Sequence, residues 1–401
     1  MVTLAKVRED ADEILPGVVA DRRYLHENPE LGFQEFNTAK FVTERLQSLG
    51  VEDIRTGINV TGVTGLIRGT GSGPGKDTVV LARADMDALP ILEENKVDYV
   101  SKNNGVMHAC GHDAHTAMLL GVTRLLMDRR DQFSGTVKVL FQPSEEAGPG
   151  GAKGMIEAGV LDDPHVDAVL GLHVASKLDT GRISVGDGQI MAAADEFKVT
   201  IQGRGGHGAY PHTAVDPVVI GSHIVIGLQT LVSREVNPTD KAVVSVCAFK
   251  AGEAFNVIPD TAMIGGTVRT FDPDTRDLLE RRVTELATGV AQAMGGTANI
   301  EYSRGYPAVT NDPAMSDLVR DAAREVVGED QLDMGKPRMG AEDFSYFALE
   351  RPGCFFNVGT GSDAKDSKWA HHHPRFDVDE DGMTAGIATM ATAVVMRLNH
   401  G

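Results

Sequence analysis

The sequence predicts a mostly parallel α/β sheet domain that is interrupted by a smaller α+β domain. In the first part of the chain, strand-like apolar runs alternate with helical segments, and this alternation is typical of parallel sheets. From about Ile183 the strands instead alternate apolar with polar residues, as half-exposed antiparallel strands do. The helix–strand alternation then returns near the end of the chain. We therefore expect the first domain to comprise residues 1–185 and 306–401, and the inserted domain residues 186–305.

The predicted elements of the first domain follow one another along the chain. Apolar residues at helical spacing predict an amphipathic helix over 36–49, and Gly50 supplies its end. The glycine-rich stretch 69–77 is interpreted as a hairpin loop, because it lacks the Lys-Ser/Thr of a phosphate-binding loop. A buried strand is then predicted at 78–85 and a buried helix at 115–127. Two further strands are predicted at 135–146 and 166–174.

The inserted domain is predicted to pack helices on one face of an antiparallel sheet. Its strands have the sequences EFKVTIQGRG, KAVVSVCAFKAG and TAMIGGTVRTF. Two helical stretches, DPVVIGSHIVIGLQTLVSR and TRDLLERRVTELATGVAQAMG, lie between and after these strands. Beyond TANIEYSRGYPAV the chain returns to the first domain, and its last helix starts at Met383.

Composition and charge narrow the class of protein. The net charge of -19 argues against nucleic acid and against anionic membranes, since both require clustered Lys and Arg. No apolar run reaches the ~18 residues of a membrane span, and the first residues lack a signal-peptide core. We therefore predict a cytoplasmic protein with no membrane partner. The 3 cysteines are far apart, so a disulfide framework is not expected.

Several polar side chains follow the predicted parallel strands. Asp85, Asp87, the pair Glu145–Glu146 and His173 stand at such strand ends. Because ligands of open α/β sheets bind beyond the carboxyl ends of the strands, these residues are expected to share one site.

The stretch MHACGHDAHTAML (107–119) adds a thiol and imidazoles to this set. Thiolate, imidazole and carboxylate together suit a zinc-type ion, and ligands from several strand ends are typical of catalytic metal sites. The alternative is a nucleophilic Cys110 with His112 or His115 as its base. That alternative leaves the glutamate pair, His173 and the histidine run 371–373 without a role.

Glu145 and Glu146 indicate a mechanism. Neighbouring residues on a turn can point apart, so one carboxylate can bind a metal while the other reaches a water molecule. A metal lowers the pKa of bound water towards ~7, and the second carboxylate can then pass the proton to a leaving amine. The pair therefore suggests hydrolysis without a covalent intermediate.

A series of motifs extends in order along essentially the whole chain: HENPELGFQEFNTA, LARADMDALPI, MHACGHDAHTAML, QPSEEAGPGGAKGMIEAG, GLHV, GRGGHGAYPH, NVIPD, GTVRTF, MGAEDFSYF and HHHPRFD. These motifs resemble those of the metal-dependent aminoacylase/carboxypeptidase family. The resemblance is strongest to its amidohydrolase branch, which includes hippurate hydrolases, N-acyl-amino-acid amidohydrolases and auxin-conjugate hydrolases.

This resemblance implies a zinc-peptidase-like sheet domain, an inserted domain that serves as lid and dimerisation domain, and two divalent metal ions per subunit. Zinc, manganese, cobalt and nickel are all compatible. His372 is chosen from its run because the branch pattern is His, one residue, then Pro; His371 and His373 are the alternatives. The implied ligands are Cys110, His112, Glu146, His173 and His372.

The resemblance also implies roles around the metals. Glu145 is the general base, and Asp87 orients a ligand from behind the site. His207 helps to stabilise the oxyanion, from a partner subunit or after domain closure, and Asn256 acts with it. Arg269 holds the substrate carboxylate, or it is a surface charge of its strand.

The predicted activity is metal-dependent hydrolysis of the amide bond of an N-acyl amino acid by metal-activated water. The products are a carboxylic acid and a free amino acid, and the enzyme is expected to be a homodimer or a higher homo-oligomer. A dipeptidase or carboxypeptidase with the same chemistry is the alternative within enzymes. A catalytically silent binding protein on the same scaffold is the alternative outside them, although the intact set of residues argues against it.

Overall fold

The computed structural model describes residues 5–400, which fall into two compact units. Unit 1 is formed by the chain up to Ile190, by Val309–Lys336 and by the residues from Asp343 onward. Unit 2 is formed by Met191–Ala308 and Pro337–Glu342.

The described residues form strands and helices numbered here in chain order. The strands are β1 (Glu52–Ile58), β2 (Gly62–Arg68), β3 (Val79–Asp85), β4 (Thr136–Gln142), β5 (Ala168–Asp179), β6 (Ile183–Val185), β7 (Gly188–Met191), β8 (Ala193–Gln202), β9 (Gly206–His207), β10 (Ala242–Ala251), β11 (Val257–Ile258), β12 (Thr261–Thr270), β13 (Thr297–Arg304), β14 (Val309–Asn311), β15 (Leu332–Met334) and β16 (Gly353–Gly361). The helices are α1 (Ala5–Glu27), α2 (Phe36–Ser48), α3 (His112–Met127), α4 (Gly151–Glu157), α5 (Pro217–Thr230), α6 (Pro273–Ala293), α7 (Pro313–Val327), α8 (Phe344–Glu350) and α9 (Met383–His400).

Unit 1 is built on a mixed sheet in the order β1-β2-β4-β3-β5-β16-β6-β15. Its four central strands, β4, β3, β5 and β16, are parallel to their neighbours within that group. All seven residues of β3 are buried, as expected for a central strand with both faces covered. The predicted mostly parallel α/β sheet is therefore confirmed.

The glycine-rich loop 69–77 is not a hairpin loop, contrary to the sequence-based interpretation. It joins β2 to β3, but β4 lies between these two strands and pairs with both of them. The loop instead bonds to the turn that precedes β4, where Gly69 N donates to Gly135 O and Thr70 N to Arg130 O. Turn residues indicate a reversal of the chain, but they do not fix which strand the next one pairs with.

Strand β5 also differs from its prediction. It continues to Asp179, so His173 lies inside the strand and not at its end. However, the pairing of β5 with β3 ends at Arg83 and Gly171, whereas its pairing with β16 continues past His173. His173 therefore lies beyond the last β5–β3 pair, level with Asp85 at the carboxyl end of β3.

Unit 2 contains an antiparallel sheet in the order β10-β12-β8-β13. Along β8, Phe197, Val199 and Ile201 are buried, while Glu196 and Lys198, which point to the other face, are exposed. Helices α5 and α6 cover the buried face, since Ile224, Leu228 and other apolar residues of theirs share one core with those β8 residues. This is the helix-on-sheet packing that the alternating pattern predicts.

The helical stretch Pro217–Glu235 combines α5 with a short π-helical turn. Within the part of the chain that the structure describes, it is long and apolar enough to cross a membrane, and 33% of this apolar stretch is buried. Core helices of soluble proteins can be as long and as apolar as this one, so one such helix is weak evidence for a membrane span.

Candidate active site

The thiol and one imidazole of the site come from a tight corner before α3. Gly111 stands at this corner with φ 93°, and an added Cβ would lie 2.4 Å from a methyl group of Val174. Only glycine fits such a left-handed and crowded position. The corner makes His112 the first residue of α3, three residues earlier than predicted, and leaves Cys110 on the loop just before it.

Asp87 connects this corner to the glutamate pair. Its Oδ1 lies 3.1 Å from His112 Nδ1 and accepts a hydrogen bond of 3.0 Å from the Glu145 backbone N–H. Its Oδ2 accepts a bond of 2.9 Å from the Glu146 backbone N–H. One buried carboxylate therefore orients the imidazole of His112 and fixes the turn that carries both glutamates.

Two buried atoms, His112 Nε2 and Glu146 Oε1, face each other across the site 3.9 Å apart. His112 Nε2 has no hydrogen-bond partner among the described residues, whereas Glu146 Oε1 makes an ion-pair contact with His372 Nε2 at 3.0 Å. Leaving a polar atom buried and unsatisfied costs about 1–3 kcal/mol. A divalent cation between the two atoms would satisfy His112 Nε2 and bind the carboxylate as well, so the donor set fits a metal ion.

The remaining candidate ligands converge around the same place. Cys110 Sγ lies 3.5 Å from His173 Nε2 and 3.7 Å from His371 Nδ1. His372 Nε2 lies 3.0 Å from Glu146 Oε1. The groups whose ligand atoms lie within 4.8 Å of one another include Cys110–His173–His371, Cys110–Glu146–His372, His112–His115–His173 and His112–Glu145–Glu146. Each of four proposed ligands belongs to two of these groups: Cys110, His112, His173 and Glu146.

The electrostatics of the site follow from this crowding. Burial and the nearby Glu146 and Glu145 carboxylates raise the pKa of the Cys110 thiol well above its usual range. Burial alone would lower the pKa of His112, but Asp85 and Asp87 beside it raise that pKa to about 10. Thus the cluster favours added positive charge, whether from protons or from a cation, and a bound metal deprotonates a coordinating thiol.

The histidine run contributes two side chains to the cluster. His372 has φ 65°, and its backbone N–H donates to Ala109 O over 2.8 Å, which holds the run against the corner. A non-glycine residue in the left-handed region is strained, and such strain concentrates at functional sites. His373 is different, because its ring stacks on Trp369 at a centroid distance of 4.5 Å.

Unit 2 carries the other predicted site residues. The exposed His207 lies in β9, which pairs with β11 through His207 and Val257, and Gly208 N donates to Asn256 O over 2.8 Å. His207 and Asn256 are thus brought close together. Arg269 lies on the helix-free face of the sheet, where it donates to Thr267 Oγ1 and lines a groove of about 520 Å³.

Two supporting residues in the stretch 26–39 were not singled out from the sequence. Buried Glu35 accepts from Ser144 N over 2.8 Å and from Thr61 Oγ1 over 2.6 Å. It therefore holds the residue just before the glutamate pair. The fully buried His26 contacts Asp113 Oδ2 at 2.7 Å and Glu93 Oε1 at 3.1 Å. Both residues are polar and lie in the motif HENPELGFQEFNTA, which is the only sequence signal for their role. The residues that they contact are distant in sequence, so the contacts themselves are not predictable from the motif.

A buried ion network surrounds His26. The fully buried Arg22 donates to Asp113 Oδ2 at 2.8 Å and to Asp377 Oδ1 at 2.7 Å. Burial and Arg22 lower the pKa of His26, but Asp113 and Glu93 raise it to about 9 overall. The network joins α1 to the residue after His112 and to the segment that follows the histidine run.

Replacing Arg22 with leucine is expected to lower the free energy of unfolding by about 3–5 kcal/mol, because Asp113 would be left buried without its main partner. The matched control is Arg23→Leu, since Arg23 is half exposed and also pairs with Glu380. An exposed pair contributes about 0–1 kcal/mol. Urea unfolding of both variants measures the difference, and equal losses would contradict the buried-network interpretation.

Thiol, imidazole and carboxylate groups that converge at the carboxyl ends of parallel strands are typical of the class of metal-dependent enzymes. The comparisons with known proteins agree with this class. Residues 81–396 match the model of peptidase family M20/M25/M40, and the chain belongs to that family. The predicted family, fold class and hydrolase class are thereby confirmed.

The relatives give the family context. An N-acetyl-L-cysteine deacetylase of Bacillus subtilis (strain 168) is 42% identical over 90% of this chain and 84% of its own length. Thermostable carboxypeptidase 2 of Saccharolobus solfataricus is 38% identical over 98% and 99% of the two chains. The crystal structure of the Bacillus subtilis YXEP protein, described as a dinuclear metal-binding peptidase of the M20 family, has a TM-score of 0.83 at 35% identity, covering 96% of this chain and 99% of that chain.

Proposed function

We propose that this protein hydrolyses the amide bond of N-acyl amino acids with two divalent metal ions. The observation that carries the proposal is the buried His112 Nε2, which has no hydrogen-bond partner among the described residues and faces the Glu146 carboxylate beside Cys110. The relatives support the reaction class, since an N-acetyl-L-cysteine deacetylase removes an acyl group from an amino acid. The proposed ligands are Cys110, His112, Glu146, His173 and His372.

When bound, the ions would lower the pKa of water and polarise the amide carbonyl. Glu145 takes the proton of the attacking water and passes it to the nitrogen of the leaving amino acid. Asp87 holds the glutamate turn and the imidazole of His112 in place while this happens. His207 donates a hydrogen bond to the carbonyl oxygen as negative charge develops on it.

The free carboxylate of the substrate needs a cation, and Arg269 is the proposed one. Its guanidinium can bind a carboxylate through two parallel hydrogen bonds. It lies on the open face of the sheet in unit 2, which is the proposed lid, while unit 1 is the proposed catalytic domain. Asn256, which lies beside His207, is proposed to contact the substrate as well.

A homodimer or higher homo-oligomer in the cytoplasm is proposed for the assembly. The outer side of α5 exposes Val219 and Ile226, the latter to 67%. Among the described residues β10 pairs on one side, with β12, so its other edge is unpaired. Exposed apolar helices and open strand edges favour association. Sedimentation of the protein, with Ile226→Glu as the disrupting variant, tests this.

A substrate panel on protein reconstituted with zinc, manganese, cobalt or nickel tests the function. Acetyl- and benzoyl-amino acids are expected to be cleaved with kcat/KM values at least about ten times those of dipeptides. Preference for dipeptides or for C-terminally unblocked peptides would favour the alternative of a dipeptidase or carboxypeptidase. One of the relatives is named a carboxypeptidase, so peptides belong in the panel. Absence of hydrolysis in the metal-loaded protein would indicate a binding protein.

Replacing His207 with alanine is expected to lower kcat by about 10²-fold or more, because a donor to the developing oxyanion is lost. Steady-state kinetics on the best acyl amino acid measure it. His212→Ala is the matched control, since this exposed histidine lies in the same loop region and has no proposed role. An unchanged kcat in the His207 variant would make His207 a turn residue.

A further inference from the structure

The strand that carries His173 loses one of its neighbours just before this residue. Strand β5 pairs with β3 up to Gly171, opposite Arg83, and β3 ends two residues later. On its other side β5 stays paired with β16, where His173 lies opposite Asn357 and Val174 opposite Val358. On the β3 side the backbone around His173 therefore needs another partner, because buried backbone groups are almost always hydrogen-bonded.

The side chain of His115 supplies that partner. Its Nε2 lies 2.9 Å from the backbone N–H of Val174, and its Nδ1 lies 2.7 Å from Asp85 Oδ1. A backbone N–H can only donate, so Nε2 carries no proton and Nδ1 donates its own to Asp85. Both nitrogens of the fully buried ring are thus engaged, and the lone pair that a metal would need is already used.

Asp85 is itself held in place by a buried arginine. Its Oδ2 accepts a hydrogen bond of 2.7 Å from the buried Arg83. Arg83 also donates to Asp343 Oδ1 over 2.9 Å, and Asp343 accepts from the backbone N–H of Ala152 in the first turn of α4. A continuous buried series of hydrogen bonds therefore extends from α4 to the strand segment of His173.

We propose that His115 and Asp85 are positioning residues, which fix the main chain at Val174 and thereby set the place of the His173 imidazole. This inference rests on the proposed metal site, in which His173 Nε2 lies 3.5 Å from Cys110 Sγ. The side chains extend the sheet beyond the end of β3 and keep β5 from shifting relative to the corner before α3. They are not metal ligands.

The test compares metal binding in three variants. His115→Phe keeps a ring of similar size but removes both hydrogen bonds. Asp85→Asn keeps the volume of the side chain, but its amide can donate a hydrogen bond to His115 Nδ1. The ring proton of His115 would then lie on Nε2, where it would face the Val174 N–H. Thr123→Val is the matched control, because Thr123 is buried in the same helix and its hydroxyl bonds to Leu119 O within that helix.

Zinc affinity is measured by competition with a chelator, and bound metal is counted at saturation. Both His115→Phe and Asp85→Asn are expected to bind two ions per chain with affinity weakened about 10- to 100-fold, a range typical of residues that orient ligands. Thr123→Val is expected to keep the wild-type affinity. Circular dichroism of the metal-free variants checks that each is folded. If His115→Phe does not fold, the affinity of Asp85→Asn alone tests the proposal.

Two outcomes would overturn the proposal. Binding of one ion fewer by His115→Phe at saturation would make His115 a ligand. Wild-type affinity in a folded Asp85→Asn variant would make the hydrogen-bond series purely structural. Because these measurements use zinc without substrate, they are independent of the substrate class. A protein that binds two ions but cleaves no N-acyl amino acid contradicts the proposed function and leaves this inference in place.

Discussion

Replacing Glu145 with glutamine is expected to lower kcat by about 10³-fold while both metal ions stay bound. Glutamine keeps the size of the side chain but cannot accept the proton of the attacking water, and general-base catalysis contributes about 10²- to 10⁴-fold. The turn itself should persist, because Asp87 holds it through the backbone N–H of Glu145 and not through its side chain. Kinetics on an N-acyl amino acid and metal analysis of the same sample measure the two effects.

The neighbouring residue provides the matched control. Glu146→Gln changes the same functional group one position later, at a residue whose buried Oε1 faces His112 and His372. This variant is expected to lose metal together with activity, and excess metal should restore part of the activity. Excess metal should restore none in Glu145→Gln. If Glu145→Gln kept more than about a tenth of the wild-type kcat, Glu145 would be removed from the role of general base.

Polar residues that follow predicted parallel strands indicate much of the candidate site from the sequence alone. Asp87 and the glutamate pair, predicted to share a site, are joined by hydrogen bonds of 3.0 and 2.9 Å. This worked because parallel strands bring their carboxyl ends to one edge of the sheet, so order along the chain becomes proximity in space. The resemblance to a known family added His372, which no periodicity indicates.

Other features depend on information that local sequence does not carry. The order of β2, β4 and β3 could not be read from the loop 69–77, since the strand that intervenes lies over 50 residues later in the chain. Arg22 is a further case, because its carboxylate partners, Asp113 and Asp377, are 91 and 355 residues away. Charged residues on a helix are usually exposed, so burial of Arg22 is visible only once the partners are assembled.

Removal of the metals is expected to abolish activity reversibly, by about 10³-fold or more, because a catalytic metal supplies several kcal/mol of transition-state stabilisation. The Cys110→Ala variant should behave like the chelated protein. Cys110 Sγ belongs to both the group with His173 and the group with Glu146, so its loss removes a donor from both groups and should weaken metal binding in both.

The same experiment decides between a metal ligand and a cysteine nucleophile at position 110. Burial and the two glutamates raise the pKa of the thiol, so without a cation Cys110 is a poor nucleophile. A nucleophilic enzyme would keep its activity after chelation, whereas a metalloenzyme would lose it and regain it with added metal. Thermal unfolding gives a second measurement, because metal that binds the folded state raises Tm in the wild type. That rise should be absent from Cys110→Ala and intact in His373→Ala, whose histidine stacks on Trp369. A metal-dependent rise in Tm that survived in Cys110→Ala would contradict the proposed role of Cys110.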